Sequence, residues 1–138
     1  MKLIRFMSFD EFEKLKNGET LVNNTNHGAE GRHTNSIGFC FFDVDFDDIE
    51  DLKHEICMVY EFASGIVSDD VVVVFDTSGK ELNKGYGTYA NPYGAFFDTM
   101  LVDEYSTTEY SKYSLKPLFY AKANNYCDDE FDFFEWEG

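Results

Sequence analysis

Residues 71–75 read VVVVF, four β-branched positions in succession, fenced by Asp69-Asp70 before and by Asp76-Thr77-Ser78-Gly79 after. Branching at Cβ crowds a helix and suits a pleated strand, and the polar clusters on either side are turn formers. The run predicts a central strand that ends in a turn, and the turn is expected to open a hairpin. It is also the longest aliphatic run in the chain. A bilayer span needs about 20 apolar residues, so no membrane crossing is expected.

Other elements follow from local signals. Lys2 to Met7 alternates enough apolar side chains for a first strand. Ser8 and Glu11 form a capping box ahead of Phe9, Phe12 and Leu15 at helical spacing, which predicts a helix over Phe9 to Asn17 with Gly18 as its stop. Asn23 to Asn35 lacks periodicity and reads as a long loop, a class that is often functional. It leads into a strand over Ser36 to Phe42. Ile49, Leu52, Ile56, Val59 and Ala63 recur at helical intervals and predict an amphipathic helix within Asp43 to Ser64. Gly85 to Gly94 (GYGTYANPYG) reads as a surface loop presenting Tyr86, Tyr89 and Tyr93 to a ligand. Met100 to Tyr105, Glu109 to Tyr113 and Leu118 to Ala123 read as further strands. The expectation is an α+β fold, with a mixed, mainly antiparallel sheet and two main helices in a single compact domain over residues 1–138.

Composition narrows the partners. With 43% hydrophobic and 18% aromatic residues the chain has ample material for a core, yet 27 Asp and Glu stand against 11 Lys and Arg, a net charge of -16. Nucleic acids and anionic lipids both demand clustered cations, so neither is expected as a direct partner. A basic protein surface is. The start MKLIRFMSFDEF has no apolar core and no small-residue cleavage site, so no secretory signal is read there. Three cysteines at wide spacing suit a reducing compartment better than a disulfide framework, which points to the cytoplasm.

The acidic residues are concentrated. Asp43, Asp45, Asp47, Asp48, Glu50, Asp51 and Glu55 crowd one segment, and Asp128, Asp129, Glu130, Asp132, Glu135 and Glu137 another. One reading is a surface that fills a basic channel and is steered to it electrostatically; the other is a solvated surface that keeps the protein soluble. In the C-terminal segment 127–138, Phe131, Phe133, Phe134 and Trp136 alternate with carboxylates. Aromatic anchors framed by charge make a binding hot spot, and the same pattern fits a final strand packed on the core. Phe134 and Trp136 are assigned to partner recognition.

On the second helix Glu50, His54, Cys57 and Glu61 are separated by four, three and four positions and share one face. His54 and Cys57 at that spacing can chelate zinc, with His27, His33 or Cys127 as further donors; a solvated helix face is the alternative. No phosphate loop, dinucleotide-binding glycine motif or serine nucleophile elbow is present.

Leu3-Ile4-Arg5-Phe6-Met7-Ser8 with the following helix and Gly18, then Thr34-Asn35-Ser36 entering a strand, then Glu109 before a strand, together resemble the ADP-ribosyltransferase family. The resemblance implies an NAD-using enzyme in which Arg5 contacts the dinucleotide, Ser36 belongs to the serine-threonine-serine element and Glu109 is catalytic. The sequence departs from that family at Thr107, where Glu or Gln is common, and the nearer acidic residue is Glu104. In size and acidity the whole chain resembles the small phage-encoded anti-CRISPR inhibitors. That resemblance implies a non-enzymatic protein in the cytoplasm of a bacterial host. Its carboxylates at Asp43, Asp45, Asp47, Asp48, Asp128, Asp129, Glu130 and Asp132 would dock on the basic nucleic-acid-binding surface of an effector such as a type II CRISPR nuclease, and no cofactor beyond zinc is called for. A host acidic interaction module is the third reading.

Overall fold

A computed structural model describes residues 1–63, 67–77, 80–91 and 99–137. Strand β1 (Lys2–Met7) leads into helix α1 (Phe9–Lys16), then come β2 (Leu21–Val22), β3 (Phe39–Val44), helix α2 (Ile49–Ala63) and β4 (Val71–Asp76). The second half holds β5 (Asn83–Ala90), β6 (Thr99–Thr107), β7 (Glu109–Tyr110), β8 (Lys116–Ala121) and β9 (Phe134–Glu135). Seven strands make one sheet in the order β5-β6-β3-β1-β4-β8-β9, and β2 pairs with β7 in a small second sheet. Every strand pair described is antiparallel. The fold is α+β.

The valine run takes a central position because it has apolar partners on both faces. Val72 and Val74 pack with Leu52 and Ile56 of α2, while Val71, Val73 and Phe75 pack with Phe12 and Leu15 of α1. All five residues from Val71 to Phe75 are fully buried. Each such side chain contributes roughly 1.5–3 kcal/mol by leaving water, which accounts for an unbroken apolar run in an antiparallel sheet.

Helix α1 forms as its sequence dictates. The Ser8 hydroxyl accepts the Glu11 amide at 3.1 Å, and Gly18 closes the end at φ 79°. Helix α2 begins later than its acidic segment does. Asp43 and Val44 finish β3, and the Asp48 carboxylate accepts the Asp51 amide at 2.9 Å, making Asp48 the cap of the helix. Three expectations are corrected. The turn after β4 does not close a hairpin, since β4 lies between β1 and β8 while β5 pairs with β6 at the far edge. Asn83–Ala90 is a strand, not a ligand-presenting loop; Tyr89 is buried, Tyr86 is exposed, and Tyr93 lies outside the described residues. The strand expected over Glu109 to Tyr113 shrinks to Glu109–Tyr110.

The C-terminal aromatics divide by their packing. Phe131 is buried against Tyr126, and Trp136 sits edge-on to Phe12 and Tyr120, with its amide donating to the Leu118 carbonyl at 2.9 Å. Trp136 therefore belongs to the fold as the seal of a closing edge strand. Phe134 stacks on Tyr120 and remains 53% exposed, whereas Trp136 is half-buried.

Candidate functional site

The chain's cysteines bring the C-terminal acidic segment against α2, beside Glu50 of the first acidic segment. Cys57, in the middle of α2, is disulfide-bonded to Cys127 at a sequence separation of 70. This corrects the expectation of three free thiols. Only Cys40 is unpaired, and it is buried. Burial, with the Glu104 carboxylate second, pushes the Cys40 thiol up, which keeps it protonated and a poor nucleophile.

Around the disulfide, α2 and the C-terminal segment enclose a hollow of about 360 Å³. Glu50, His54 and Cys57 line one wall, and Cys127, Asp128, Asp129 and Glu130 line the other. The same three carboxylates border a wider hollow of about 750 Å³ whose opposite rim is Asp69 and Asp70. Carboxylates from three chain segments thus ring two adjoining concavities. The cations there are few: Lys53 lies over the Phe131 ring and Lys122 over Phe9.

The acidic residues do not all serve one surface. Asp129 accepts the amides of Asn124 and Asn125 at 3.1 and 2.9 Å, fixing the turn that carries Cys127. Asp128 accepts from the Asn125 side chain at 3.2 Å. Glu130 and Asp132 are exposed, as are Asp45 and Asp47. Asp43 borders a separate groove with Glu55 and Asp103, lined beneath by Met58, Phe62 and Met100. His54 is exposed on the wall of the disulfide hollow, while Cys57 has Cys127 and Glu61 as its neighbours.

The residues singled out by the transferase resemblance occupy a second place. Arg5 donates to Glu11 through Nε and Nη2 at 2.6 and 2.7 Å and to the Cys40 carbonyl at 3.0 Å, with its guanidinium 5.0 Å from the Phe39 ring centre. Burial alone would lower the Arg5 pKa, but the hydrogen bond and charge of Glu11 outweigh it and hold the group above its ordinary value. Arg5 lines a cleft of about 180 Å³ with Glu11, His27, Arg32 and Cys40, so both arginines of this acidic chain open on one space. The Ser36 hydroxyl does not go to Glu109, which is exposed on β7. It donates at 2.6 Å to Glu104 on β6, which also accepts from Thr34 at 2.8 Å and from Tyr89. Glu104 is fully buried, and Arg32 donates to the Tyr89 hydroxyl from the cleft side at 3.2 Å. A Cβ at Gly87 would strike the Glu104 carboxylate, so this strand glycine makes the room that the buried acid occupies.

A consequence arises for alkaline solution. Tyr110 is fully buried and donates to Glu11 at 2.7 Å; burial first, and the Glu11 charge next, raise its pKa well above the ordinary value. An unfolded tyrosine ionises near pH 10, whereas folded Tyr110 keeps its proton, so its stabilising contribution is complete below pH 10 and is lost as pH rises beyond it. Urea titrations should show about 1.4 kcal/mol of lost stability at pH 11 from this residue, and Tyr110→Phe should remove that share of the pH dependence. An identical alkaline slope in the variant would rule out Tyr110 as its source.

The chain matches no family model, no curated protein and no solved structure. Among the described residues no helix is long and apolar enough to cross a membrane.

Proposed function

We propose that this chain is a non-enzymatic docking protein whose clasped acidic face occupies a basic, nucleic-acid-binding groove of a partner protein. The carrying observation is the convergence of Glu50, Asp69, Asp70 and Asp128 to Glu130 from three chain segments around two adjoining hollows. A ring of like charge of this kind attracts a cationic surface and raises the rate at which the two meet. The resemblance to phage-encoded anti-CRISPR inhibitors makes a guide-loaded type II nuclease in a bacterial cytoplasm the first partner to test, with inhibition by exclusion of target DNA.

The test is a binding titration against that nuclease with two variants of equal charge change. Replacing Glu50, Asp128, Glu130 and Asp132 by their amides is expected to weaken binding at least tenfold, about 1.4 kcal/mol. Replacing Glu13, Glu19, Glu81 and Glu109, which lie elsewhere on the surface, should weaken it less than threefold. Asp129 is spared because its carboxylate holds the Asn124–Asn125 turn. Equal losses from both variants would reduce the effect to overall charge and remove the face from consideration.

A second reading, an NAD-using transferase, is favoured by the Ser36 and Thr34 hydroxyls on Glu104 and by Arg5 in the neighbouring cleft. It moves the acidic residue of that resemblance from Glu109 to Glu104. The same titration separates the two readings: a docking protein saturates at one copy per partner and leaves NAD intact, whereas a transferase acts below that ratio and consumes it.

A further inference from the structure

The helix stripe Glu50, His54, Cys57 and Glu61 gains a member from outside α2. Cys127 reaches the middle of the stripe, and its Sγ lies 3.6 Å from Glu61 Oε1 while Cys57 Sγ lies 3.5 Å from the same oxygen. The donor atoms of Cys57, Cys127 and Glu61 all fall within 4.8 Å of one another. A tetrahedral ion with zinc–sulfur bonds of about 2.3 Å sets its ligand atoms about 3.8 Å apart, so both sulfur-to-Glu61 distances already suit such a site, and the two sulfurs, bonded to each other here, move apart on reduction to take their corners. His54, three residues before Cys57 on the same face, opens on the same hollow. Glu50, Asp128, Asp129 and Glu130 around the rim supply a negative potential that favours a dication over neutral water.

We propose that in the reduced protein Cys57, Cys127 and Glu61, with His54 as fourth donor, bind a borderline-soft divalent cation such as zinc, and that this ion and the disulfide exclude each other. The two sulfurs cannot serve both, because a metal ligand must be a thiolate and a disulfide sulfur carries no such lone charge. The exchange balances with a disulfide of the glutathione type as oxidant. The zinc-bound thiolates give up two electrons and form the Cys57–Cys127 bond; the glutathione S–S bond breaks to two thiolates, and zinc leaves. A half-buried link between α2 and the C-terminal segment thereby persists in either redox condition, as a covalent bond in one and a coordinated ion in the other. The proposal stands apart from the docking function, since it needs no partner.

The experiment titrates zinc, and separately cobalt, into anaerobically reduced full-length protein and into the oxidised protein. The reduced form should bind one equivalent at least a hundredfold more tightly than the oxidised form, and bound cobalt should show thiolate-to-metal charge-transfer absorption. Glu61→Gln and His54→Ala leave both cysteines in place, and each should weaken zinc binding at least tenfold. Oxidised glutathione added to the zinc-loaded protein should release one zinc per chain. Equal affinity in the two redox forms, or cobalt bound without the thiolate band, overturns the site. Full affinity retained in both variants overturns the four-donor assignment.

Discussion

Reduction of the Cys57–Cys127 bond in metal-free buffer is expected to lower the free energy of unfolding by about 4 kcal/mol, the value that chain entropy assigns to a crosslink spanning 70 residues. The cost falls mainly on the unfolded state, which regains the freedom of a long loop, because the folded contacts of the tail survive. Tyr126 and Phe131 still pack against the core, and the Tyr126 hydroxyl still donates to the Asp69 carbonyl at 3.1 Å. Urea unfolding with and without reductant measures the effect, and the Cys57→Ser, Cys127→Ser double variant should match the reduced protein while ignoring reductant. An unfolding midpoint unmoved by reductant would mean that the two sulfurs are not joined in solution.

Glu104→Ala is expected to cost about 4 kcal/mol. The carboxylate is fully buried and takes hydrogen bonds from Ser36, Thr34 and Tyr89. Thr34 has the Tyr86 carbonyl at 2.9 Å to turn to, but Ser36 and Tyr89 lose their acceptor, at about 1–3 kcal/mol for each buried group left unpaired, and a cavity remains where the side chain stood. Glu104→Gln keeps the volume and one acceptor oxygen, and about 1–2 kcal/mol is expected for it. Denaturant midpoints at unchanged slope would register both. Near-equal midpoints for wild type and the alanine variant would show that Glu104 is dispensable to the fold.

The parts of the fold that were legible in the sequence are those governed by neighbours along the chain. β1, α1 with its Ser8 cap and Gly18 stop, and the valine strand all follow from spacing and residue type. What escaped depends on long-range approach. Glycine and tyrosine in residues 85–90 look like a loop until their neighbours are known: a Cβ at Gly85 would strike the Asn35 side chain, and one at Gly87 the Glu104 carboxylate. Gly87 admits a buried polar cluster to a strand, and Gly85 admits the exposed Asn35 side chain that accepts the Tyr86 amide. Glu104 itself sits in an unremarkable acidic stretch, and nothing local distinguishes it from exposed Glu109. The acidic face was visible only in halves, because the meeting of α2 with the C-terminal segment is made by two cysteines whose odd third member argued against a bond. The carboxylates flanking Trp136 point to a partner, yet the edge pairing of β9 with β8 draws it onto Phe12.

The placement of the valine strand bears on how the chain is made. Val71 to Phe75 finds β1 already synthesised, but its other neighbour, β8, is completed only at Ala121. Until then a nascent protein carries an apolar β-branched segment with one open edge, the kind of segment that seeds association between chains. Asp69 and Asp70 at its entry and Asp76 at its end stand where gatekeeping charges repel a second copy. Charges at these three positions are expected to guard the interval between the making of the central strand and the arrival of the strand that covers it.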